Sequence, residues 1–460
     1  MTLIKSISGI RGTIGGTPGE NLTPDDIVKF TSAFGLWLQR RNHGKKIAVV
    51  TGRDARPSGP VIAGLVNNTL LAMGIDVIDT GLATTPTVEV AVTGTMSAGG
   101  IIITASHNPV EWNALKLLNQ DGEFLSASEG EEVLSLISSG AIAYARQSDF
   151  GNIVTDLSWG DRHIDMILSL EAVNREAVGR RGYRIVVDCI NSVGALVLPP
   201  LLYKLGVNDI ILINSAPDGI FAHNPEPLPE NLQEISEKVV SEKADLGIVV
   251  DPDVDRLAIV CEDGTMFGEE YTLVAVADYI LSLKPGDTVS NMSSTRALKV
   301  ITEKHGGRHF TAPVGEVNVV GEMKRRNAVI GGEGNGGVIY PEAHYGRDAL
   351  AGIALFLSLL AERGTLCSEL RKSYPMFHIS KKKIHAGNSI DFDTLREAAL
   401  LEFTDATADR RDGLLLEGAG WWIQARSSNT EPVIRIYAEA ETSEKAEYLC
   451  DKMIQIVKNL

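Results

Sequence analysis

The segment with the clearest chemical potential is a serine-containing loop at the end of an apolar run. The isoleucines at 101–103 predict a buried strand, and the Asn-Pro pair at 108–109 predicts a turn after it. Ser106 therefore stands at the end of a strand, with His107 beside it and Lys116 shortly after. Taken alone, the pattern fits an ordinary turn as well as a nucleophile, because serine and Asn-Pro are common turn residues.

Three aspartates, Asp251, Asp253 and Asp255, alternate along the chain directly after the apolar run 246–250. Carboxylates this close repel one another and are costly at a strand end unless a cation joins them. An all-oxygen ligand set without histidine or cysteine suits Mg²⁺, which combines a few carboxylates with phosphate oxygens. The pattern favours a magnesium site, and a solvated acidic turn or a calcium loop remains the alternative.

The aspartate loop departs from the EF-hand pattern of calcium-binding loops. A helix should precede the loop and glycine should occupy its sixth position, whereas here a strand precedes it and the sixth residue is Arg256. Only the twelfth position, Glu262, fits. Arg256 is a cation beside the acids, able to offset their charge or to hold a phosphate.

A polar loop near the C-terminus offers a guanidinium, three hydroxyls, an amide and free backbone N–H groups. Its residues are Arg426, Ser427, Ser428, Asn429 and Thr430, and Arg435 lies just beyond. This set suits a phosphate dianion. The alternative is a polar hairpin turn.

Glu333 and Asn335 lie in a glycine-rich stretch, residues 331–337. Glycine lets the backbone approach a ligand closely, and Glu333 supplies an acceptor for sugar hydroxyls. The stretch does not fit a nucleotide-binding loop, because the Gly-Lys-Ser/Thr ending is missing and Glu333 would repel phosphate.

Three similar stretches of alternating strands and helices are predicted to position these loops. Each runs strand, helix, strand, helix, strand, loop, and the last strands are predicted at 101–103, 246–250 and 328–330. Ligand sites of open α/β sheets lie beyond the carboxyl ends of the strands, so we expect the three loops to face one shared cleft. Beyond Tyr374-Pro375 the pattern changes to a smaller α+β domain that carries the Arg426 loop. The prediction is therefore an α/β fold with three similar mixed α/β domains around a central cleft, plus a smaller C-terminal α+β domain.

Composition and charge narrow the class of protein. The 43 basic and 59 acidic residues give a net charge of −16, which argues against a nucleic-acid partner or an acidic membrane surface but not against a small anionic substrate. The four cysteines have no paired spacing and predict reduced core thiols in a cytoplasmic protein. The N-terminus has no apolar signal-peptide core, and the longest nearly apolar run, 349–361, is too short to span a bilayer and predicts a buried helix. A monomer or a homodimer is expected.

The loops together have one economical interpretation. Ser106 carries a phosphoryl group, Mg²⁺ on the three aspartates stabilises its charge, and nearby cations assist. The Arg426 loop holds a second phosphate far from the first, and Glu333 contacts the sugar that joins them. Phosphoryl transfer is mostly positioning and charge stabilisation, so this inventory suffices.

With these loops in place, the chain resembles the α-D-phosphohexomutase family from end to end. Four motifs stand in the family's order: TASHNP at 104–109, DPDVDR at 251–256, GGEGNGG at 331–337 and RSSNTEP at 426–432. The segments 9–12 and 52–58 also fit its first domain. The resemblance implies a cycle in which phosphorylated Ser106 donates to a hexose or hexosamine monophosphate. The resulting 1,6-bisphosphate reorients and returns its other phosphate to Ser106.

The resemblance also implies roles, cofactors and boundaries. The implied catalytic residues are Ser106, His107, Lys116 and Arg256, and any of the last three could act as the general base. The implied magnesium ligands are Asp251, Asp253 and Asp255 together with Ser106. The implied substrate-binding residues are Arg11, Glu333, Asn335, Arg426, Ser427, Ser428, Asn429, Thr430 and Arg435. A glucose or glucosamine 1,6-bisphosphate is the expected activator. The predicted domains are 1–152 (phosphoserine), 153–256 (metal), 257–372 (sugar) and 373–460 (distal phosphate).

Departures from the family's patterns leave the sugar open. Asn335 stands where phosphoglucosamine mutases and mannose/glucose mutases usually have serine, and Ser427 and Asn429 stand where glucosamine enzymes usually have proline and glycine. Ala114 replaces a frequent glycine. A phosphoglucosamine mutase is the favoured interpretation, a phosphomannomutase/phosphoglucomutase is the alternative, and a non-catalytic sugar-phosphate-binding relative is a remote third.

Overall fold

The structure is a computed structural model that describes residues 2–6, 9–43, 45–385, 390–427 and 433–460. It contains two compact units. Unit 1 comprises residues 1–272 and 336–368, and unit 2 comprises residues 273–335 and 369–460.

The first part of unit 1 is built on a seven-stranded sheet with α-helices packed against it. Its elements are β1 (Ile4–Ser6), β2 (Gly9–Thr13), α1 (Pro24–Arg41), β3 (Ala48–Arg53), α2 (Gly59–Ala72), β4 (Asp76–Leu82), α3 (Thr85–Gly94), β5 (Gly99–Ile103), β6 (Trp112–Leu118), α4 (Ala127–Ile137) and β7 (Ile153–Thr155). The strand order is β1-β2-β6-β5-β3-β4-β7. Every residue of β5 is buried, as expected for a central parallel strand covered on both faces.

The second part of unit 1 contains a four-stranded sheet. Its elements are α5 (Trp159–Leu168), α6 (Arg175–Arg181), β8 (Arg184–Asp188), α7 (Gly194–Lys204), β9 (Asp209–Ile213), α8 (Gln233–Ser241), β10 (Leu246–Val250) and β11 (Leu257–Cys261). The order is β11-β10-β8-β9, with β11 antiparallel to β10. The four-domain boundaries stay a proposal, and because β11 belongs to this sheet we propose that the second domain extends through Cys261.

The chain from 269 to 372 contributes to both units. Its elements are α9 (Glu269–Leu283), β12 (Thr288–Asn291), α10 (Ala297–Lys304), β13 (His309–Ala312), α11 (Glu316–Arg326), β14 (Ile330–Glu333), β15 (Gly337–Ile339), α12 (Ala349–Arg363) and α13 (Cys367–Lys372). As predicted, the apolar run becomes a helix, α12, and its residues from Ala349 to Leu360 are buried.

The C-terminal part of unit 2 is an antiparallel sheet covered by helices. Its elements are β16 (His378–His385), α14 (Phe392–Glu402), β17 (Thr407–Asp409), β18 (Leu414–Gly418), β19 (Trp421–Ser427), β20 (Val433–Ala440) and α15 (Ser443–Lys458). The order is β16-β20-β19-β18-β17. In the part of the chain that the structure describes, no helix combines the length and the apolar character needed to cross a membrane.

The predicted threefold repeat is present in the strand order. In each sheet the first of three consecutive parallel strands lies between the other two, giving β5-β3-β4, β10-β8-β9 and β14-β12-β13. The third strand of each set leads into a predicted site loop. Ser106, the aspartates and Glu333 therefore occupy equivalent topological positions, as the self-similarity of the sequence indicated.

Candidate active site

Ser106 and the aspartate loop meet in unit 1. The Ser106 hydroxyl donates to Asp251 Oδ2 at 2.6 Å, and its Oγ lies 3.4 Å from Nδ1 of His107. Ser106 is only 7% exposed, and the three aspartates are fully buried. Two loops from different sheets thus bring a hydroxyl nucleophile and three carboxylates together.

The Ser106 loop, the aspartate loop and the turn after β14 each contain a residue in the left-handed backbone region. The φ angles are +48° at Ser106, +62° at Val254 and +84° at Gly336. This conformation costs a residue with a side chain roughly 1–2 kcal/mol. Such strain concentrates at functional sites, where surrounding contacts maintain it.

Basic side chains surround the three carboxylates. Lys116 Nζ lies 2.7 Å from Asp253 Oδ2 and 3.5 Å from Asp255 Oδ2. Arg347 donates to Asp255 Oδ2 at 2.7 Å, and Arg256 Nε lies 3.9 Å from Asp255 Oδ1. Although burial opposes it, the charges of Asp253 and Asp255 raise the pKa of Lys116, which keeps the ammonium protonated.

The strand pairing explains how Lys116 and Arg11 reach this cluster. Lys116 on β6 pairs with Ile102 on β5, the strand that leads to Ser106. Arg11 on β2 pairs with Ala114, two residues before Lys116 and on the same face of the sheet. Burial and the nearby charge of Arg256 lower the pKa of Arg11, because both make the charged guanidinium less favourable.

One buried arginine that the sequence interpretation did not assign holds the Ser106 loop. Arg56 is 0% exposed, and its guanidinium uses all five N–H donors. Nε donates to Asp54 at 3.0 Å, and the other four N–H groups donate to the carbonyls of Ser106, Asn108, Pro109 and Trp112 at 2.5–3.0 Å. Arg56 therefore ties the loop's backbone to the end of β3.

Asp54 and Thr104 complete this anchor. Thr104 Oγ1 donates to Asp54 Oδ2 at 2.6 Å and accepts from the Ser106 backbone N–H at 2.9 Å. Burial raises the pKa of Asp54, and the Arg56 charge and the Thr104 hydrogen bond oppose that rise. Because β3 and β5 are parallel neighbours, the rule that placed a site after β5 also pointed to the Arg53-Asp54-Ala55-Arg56 segment.

Two further contacts to the aspartate loop had no signal in the sequence. Thr85, the first residue of α3, donates from Oγ1 to Asp253 Oδ2 at 2.5 Å and from its backbone N–H to the Asp253 carbonyl at 2.9 Å. Arg347, which lies two residues before α12, donates to Asp255. Both are ordinary residues in sequence, and only the fold brings them to the carboxylates.

In unit 2, Glu333 lies at the end of β14 and is 4% exposed. Its Oε1 accepts from the Asn291 side chain at 2.9 Å and from the Gly315 backbone N–H at 3.1 Å. Gly334 donates its backbone N–H to Ser294 at 2.9 Å, and Asn335 lies in the turn that follows. The carboxylate is therefore held in place by its own unit.

Also in unit 2, two arginines face each other across neighbouring strands. Arg426 on β19 pairs with Arg435 on β20, and Arg426 is 8% exposed. Burial lowers the pKa of Arg426, with Asp412 opposing and Arg435 adding to the shift. Among the described residues, Arg426 Nε is buried without a hydrogen-bond partner. Like charges placed opposite each other are destabilising, so this pair suits an anion.

The remaining residues predicted in this loop are only partly described. Ser427 is exposed at the end of β19. Ser428, Asn429 and Thr430 lie outside the described residues.

Comparisons with known proteins agree with this architecture. Models of the four phosphoglucomutase/phosphomannomutase domains match in order: alpha/beta/alpha domains I, II and III at residues 3–141, 161–264 and 268–377, and the C-terminal domain at 396–456. A probable phosphoglucosamine mutase of Methanopyrus kandleri is 35% identical, with 98% of this chain and 97% of that protein covered. A phosphoglucomutase/phosphomannomutase of Thermococcus kodakarensis is 36% identical, with 95% and 96% covered.

A solved structure shows the same fold. The crystal structure of a phosphoglucomutase/phosphomannomutase family protein from Burkholderia thailandensis matches with a TM-score of 0.85 and 27% identity, covering 99% of this chain and 97% of that one. The four domain matches together span most of the chain in one continuous order. The chain therefore belongs to the phosphoglucomutase/phosphomannomutase family of mutase enzymes, the α-D-phosphohexomutases.

Proposed function

We propose that this enzyme moves a phosphoryl group between O6 and O1 of a hexose phosphate, with Ser106 as the reversible carrier. The observation that carries the proposal is the Ser106 hydroxyl, held 2.6 Å from Asp251 within a buried cluster of carboxylates and basic groups. A hydroxyl in such surroundings suits phosphoryl transfer, whose main demands are alignment and charge stabilisation.

A divalent cation fits the aspartate loop. Within the described part of the chain, Asp253 Oδ1 and Asp255 Oδ1 are buried without a hydrogen-bond partner. Burial and the repulsion of Asp255 and Asp253 raise the pKa of Asp251 well above its ordinary value, a cost that a bound cation would relieve. We propose that Asp251, Asp253 and Asp255, with the phosphorylated Ser106, hold Mg²⁺. When bound there, Mg²⁺ would offset the charge of the transferring phosphoryl group.

In the proposed cycle, the Oγ–P bond of phosphoserine 106 breaks as an O–P bond forms to a sugar hydroxyl, and the return step reverses this at the other sugar oxygen. Lys116, Arg256 and Arg347 are donors that stabilise the phosphoryl oxygens. Of the three predicted general-base candidates, His107 is the one whose neutral form accepts a proton while Lys116 stays paired with Asp253. A hexose 1,6-bisphosphate would load Ser106 with its first phosphate.

The groups in unit 2 are proposed to recognise the rest of the substrate. Arg426 and Arg435 would hold the phosphate that is not reacting, and Glu333 with Asn335 would contact sugar hydroxyls. The opposed arginine pair and the unpartnered Arg426 Nε support the first assignment. The buried, hydrogen-bonded carboxylate of Glu333 supports the second.

We propose glucosamine phosphate as the preferred sugar. The support is the name of the Methanopyrus kandleri relative, while the Thermococcus kodakarensis relative of nearly equal identity keeps glucose and mannose phosphates as the second candidates. The test is to measure kcat/KM of the purified protein with glucosamine 6-phosphate, mannose 1-phosphate and glucose 1-phosphate under the same Mg²⁺ and bisphosphate conditions. The highest value is expected for glucosamine 6-phosphate, and a higher value for either other sugar would reassign the substrate.

The Arg435→Gln variant is expected to bind substrate more weakly while folding slightly more stably. Losing one charge-assisted contact to phosphate costs about 1.5–3 kcal/mol, which raises KM by roughly 10- to 150-fold. Removing one of two opposed cations should raise the free energy of unfolding of the substrate-free protein by about 0.2–1 kcal/mol. Steady-state kinetics measures the expected rise in KM, and urea unfolding measures the expected rise in the free energy of unfolding. The matched control is Arg308→Gln, an exposed arginine paired with Asp287, and an unchanged KM in Arg435→Gln would contradict the assignment.

A further inference from the structure

Unit 1 contains a second buried polar cluster, formed by two histidines and two carboxylates. His163 Nε2 and His344 Nε2 lie 3.0 Å and 3.3 Å from the same oxygen, Asp348 Oδ2. On its other side, His344 Nδ1 lies 3.3 Å from Glu89 Oε2, and His163 Nδ1 lies 3.0 Å from Thr87 Oγ1. The most exposed of the ion-paired side chains, His344, is only 12% exposed.

This cluster joins three separate parts of the chain. Glu89 and Thr87 belong to α3, His163 belongs to α5, and His344 lies in the loop that leads to Asp348, the N-cap residue of α12. Asp348 Oδ1 accepts from the Leu350 backbone N–H at 2.8 Å, so the same carboxylate that receives both histidines also begins the buried helix.

Two of the segments joined by the cluster also contact the aspartate loop. The two neighbours of Asp348 both do so: Arg347 donates to Asp255 Oδ2 at 2.7 Å, and the Ala349 backbone N–H donates to the Val254 carbonyl at 3.2 Å. At the other end of the cluster, α3 begins with Thr85, which binds both the side chain and the backbone of Asp253. The loop is therefore held from two segments that the cluster joins to each other.

We propose that Glu89, His344, Asp348 and His163 form a hydrogen-bonded positioning network that sets the geometry of the aspartate loop for its divalent cation. The inference rests on the magnesium site of the proposed function and extends it to four residues outside the proposed set of metal ligands. Outer groups that orient metal ligands commonly change metal affinity by about 10- to 100-fold when they are removed.

The contacts of this cluster favour histidines hydrogen-bonded to carboxylates over a metal ion bound between them. Both nitrogens of His344 face carboxylate oxygens at 3.3 Å, an arrangement that the two N–H donors of an imidazolium satisfy. Although burial alone lowers it, the hydrogen bonds to Asp348 and Glu89 raise the pKa of His344 to about 10. Ligand atoms of His163, His344 and Asp348 do lie within 4.8 Å of one another, so a transition metal is the rival occupant that the test must separate.

The principal test measures Mg²⁺ binding to the purified protein by titration calorimetry, with no sugar present. Asp348→Asn keeps an oxygen to cap α12 but loses the charge that holds both histidines. It is expected to raise the Kd for Mg²⁺ by about tenfold or more. His163→Ala should weaken Mg²⁺ binding similarly, and His163→Gln, which retains a donor toward Asp348, should recover part of the loss.

The matched control is His305→Gln, which removes the histidine of another His–Asp pair, with His305 Nε2 2.7 Å from Asp278 in unit 2. Its Mg²⁺ Kd should stay within about twofold of wild type, because His305 caps α10 and Asp278 lies in α9, and neither belongs to the two segments that hold the aspartate loop. A wild-type Kd in folded Asp348→Asn and His163→Ala would overturn the network. If the wild-type protein itself binds no Mg²⁺, the proposed function fails instead, so the two failures are distinguishable.

Two further measurements distinguish a protonated His344 from a transition metal bound in the cluster. The raised pKa of His344 means that its stabilising contribution is fully present below about pH 6.5, the unfolded value, and is lost as pH rises through about 10. His344→Gln should lack this loss, with Glu89, Asp348 and His163 as the facing groups. Elemental analysis should find no stoichiometric zinc or other transition metal in the wild-type protein. Finding one equivalent of such a metal in the wild-type protein and none in His163→Ala would overturn the hydrogen-bonded network.

Discussion

The Ser106→Ala variant is expected to lose mutase turnover by more than about 10⁴-fold, the scale on which losing a covalent nucleophile acts in other enzymes. Alanine removes the only atom of this side chain that can carry the phosphoryl group. The carboxylates, Lys116 and the arginines remain, and in the proposed mechanism they position groups and stabilise charge but cannot replace the missing oxygen. The loss should appear in kcat, because the groups proposed to hold the sugar and its other phosphate lie in unit 2.

The measurement is turnover of a hexose monophosphate with Mg²⁺ and the corresponding 1,6-bisphosphate, together with mass spectrometry of the peptide that contains residue 106. Wild-type protein incubated with bisphosphate should gain one phosphate on Ser106, and the alanine variant should gain none there. Ser241→Ala, an exposed serine at the end of α8, is the matched control and should retain wild-type turnover. Normal turnover in Ser106→Ala would remove the phosphoserine from the mechanism.

Replacing Arg56 with methionine is the second change with a large expected effect, and it acts on both stability and catalysis. Methionine has no donors, so Asp54 loses its charged partner and four carbonyls of the loop lose the donor that the fully buried Arg56 supplies. Removing one member of a buried ion pair costs about 3–5 kcal/mol of unfolding free energy. Ser106 should also lose its alignment, and a misplacement of about 1 Å can lower turnover by about 10²-fold.

Arg56→Lys separates the two effects of Arg56. Lysine keeps the charge near Asp54, so we expect a smaller loss of stability, but its three donors sit on one atom and cannot reproduce the planar five-donor fork. Turnover should therefore remain low in a variant that folds. Urea unfolding and kcat measurements check both variants.

Arg184→Met is the control for Arg56. This arginine is 44% exposed and pairs with Asp209 at 2.7 Å, so its loss should cost no more than about 1 kcal/mol. An Arg56→Met protein with wild-type stability and turnover would show that the serine loop needs no such anchor.

The strands that lead into the site loops are recognisable from the sequence. Apolar runs and the polar residues after them predicted the strands β5, β10 and β14 and their order, because burial on both faces makes a central parallel strand recognisable without any partner. The repeat predicted that the serine, aspartate and glutamate loops are topologically equivalent. Strand ends were less accurate: the strand predicted at 328–330 is observed as Ile330–Glu333, since pairing with β12 continues past the apolar run into the glycines.

The sequence by itself determined the fold class, the family and the chemical inventory, because those depend on local periodicity and on short runs of particular residue types. Only the tertiary structure decided which ordinary residues support that inventory. Thr85 and Arg347, together with the His163–Asp348 network, have no distinguishing local pattern. Arg56 lies in a segment that the sequence marked, but its contacts to the Ser106 loop are made about 50 residues away in the chain. Such contacts arise only when separate segments are buried against one another, where each polar group must find a partner.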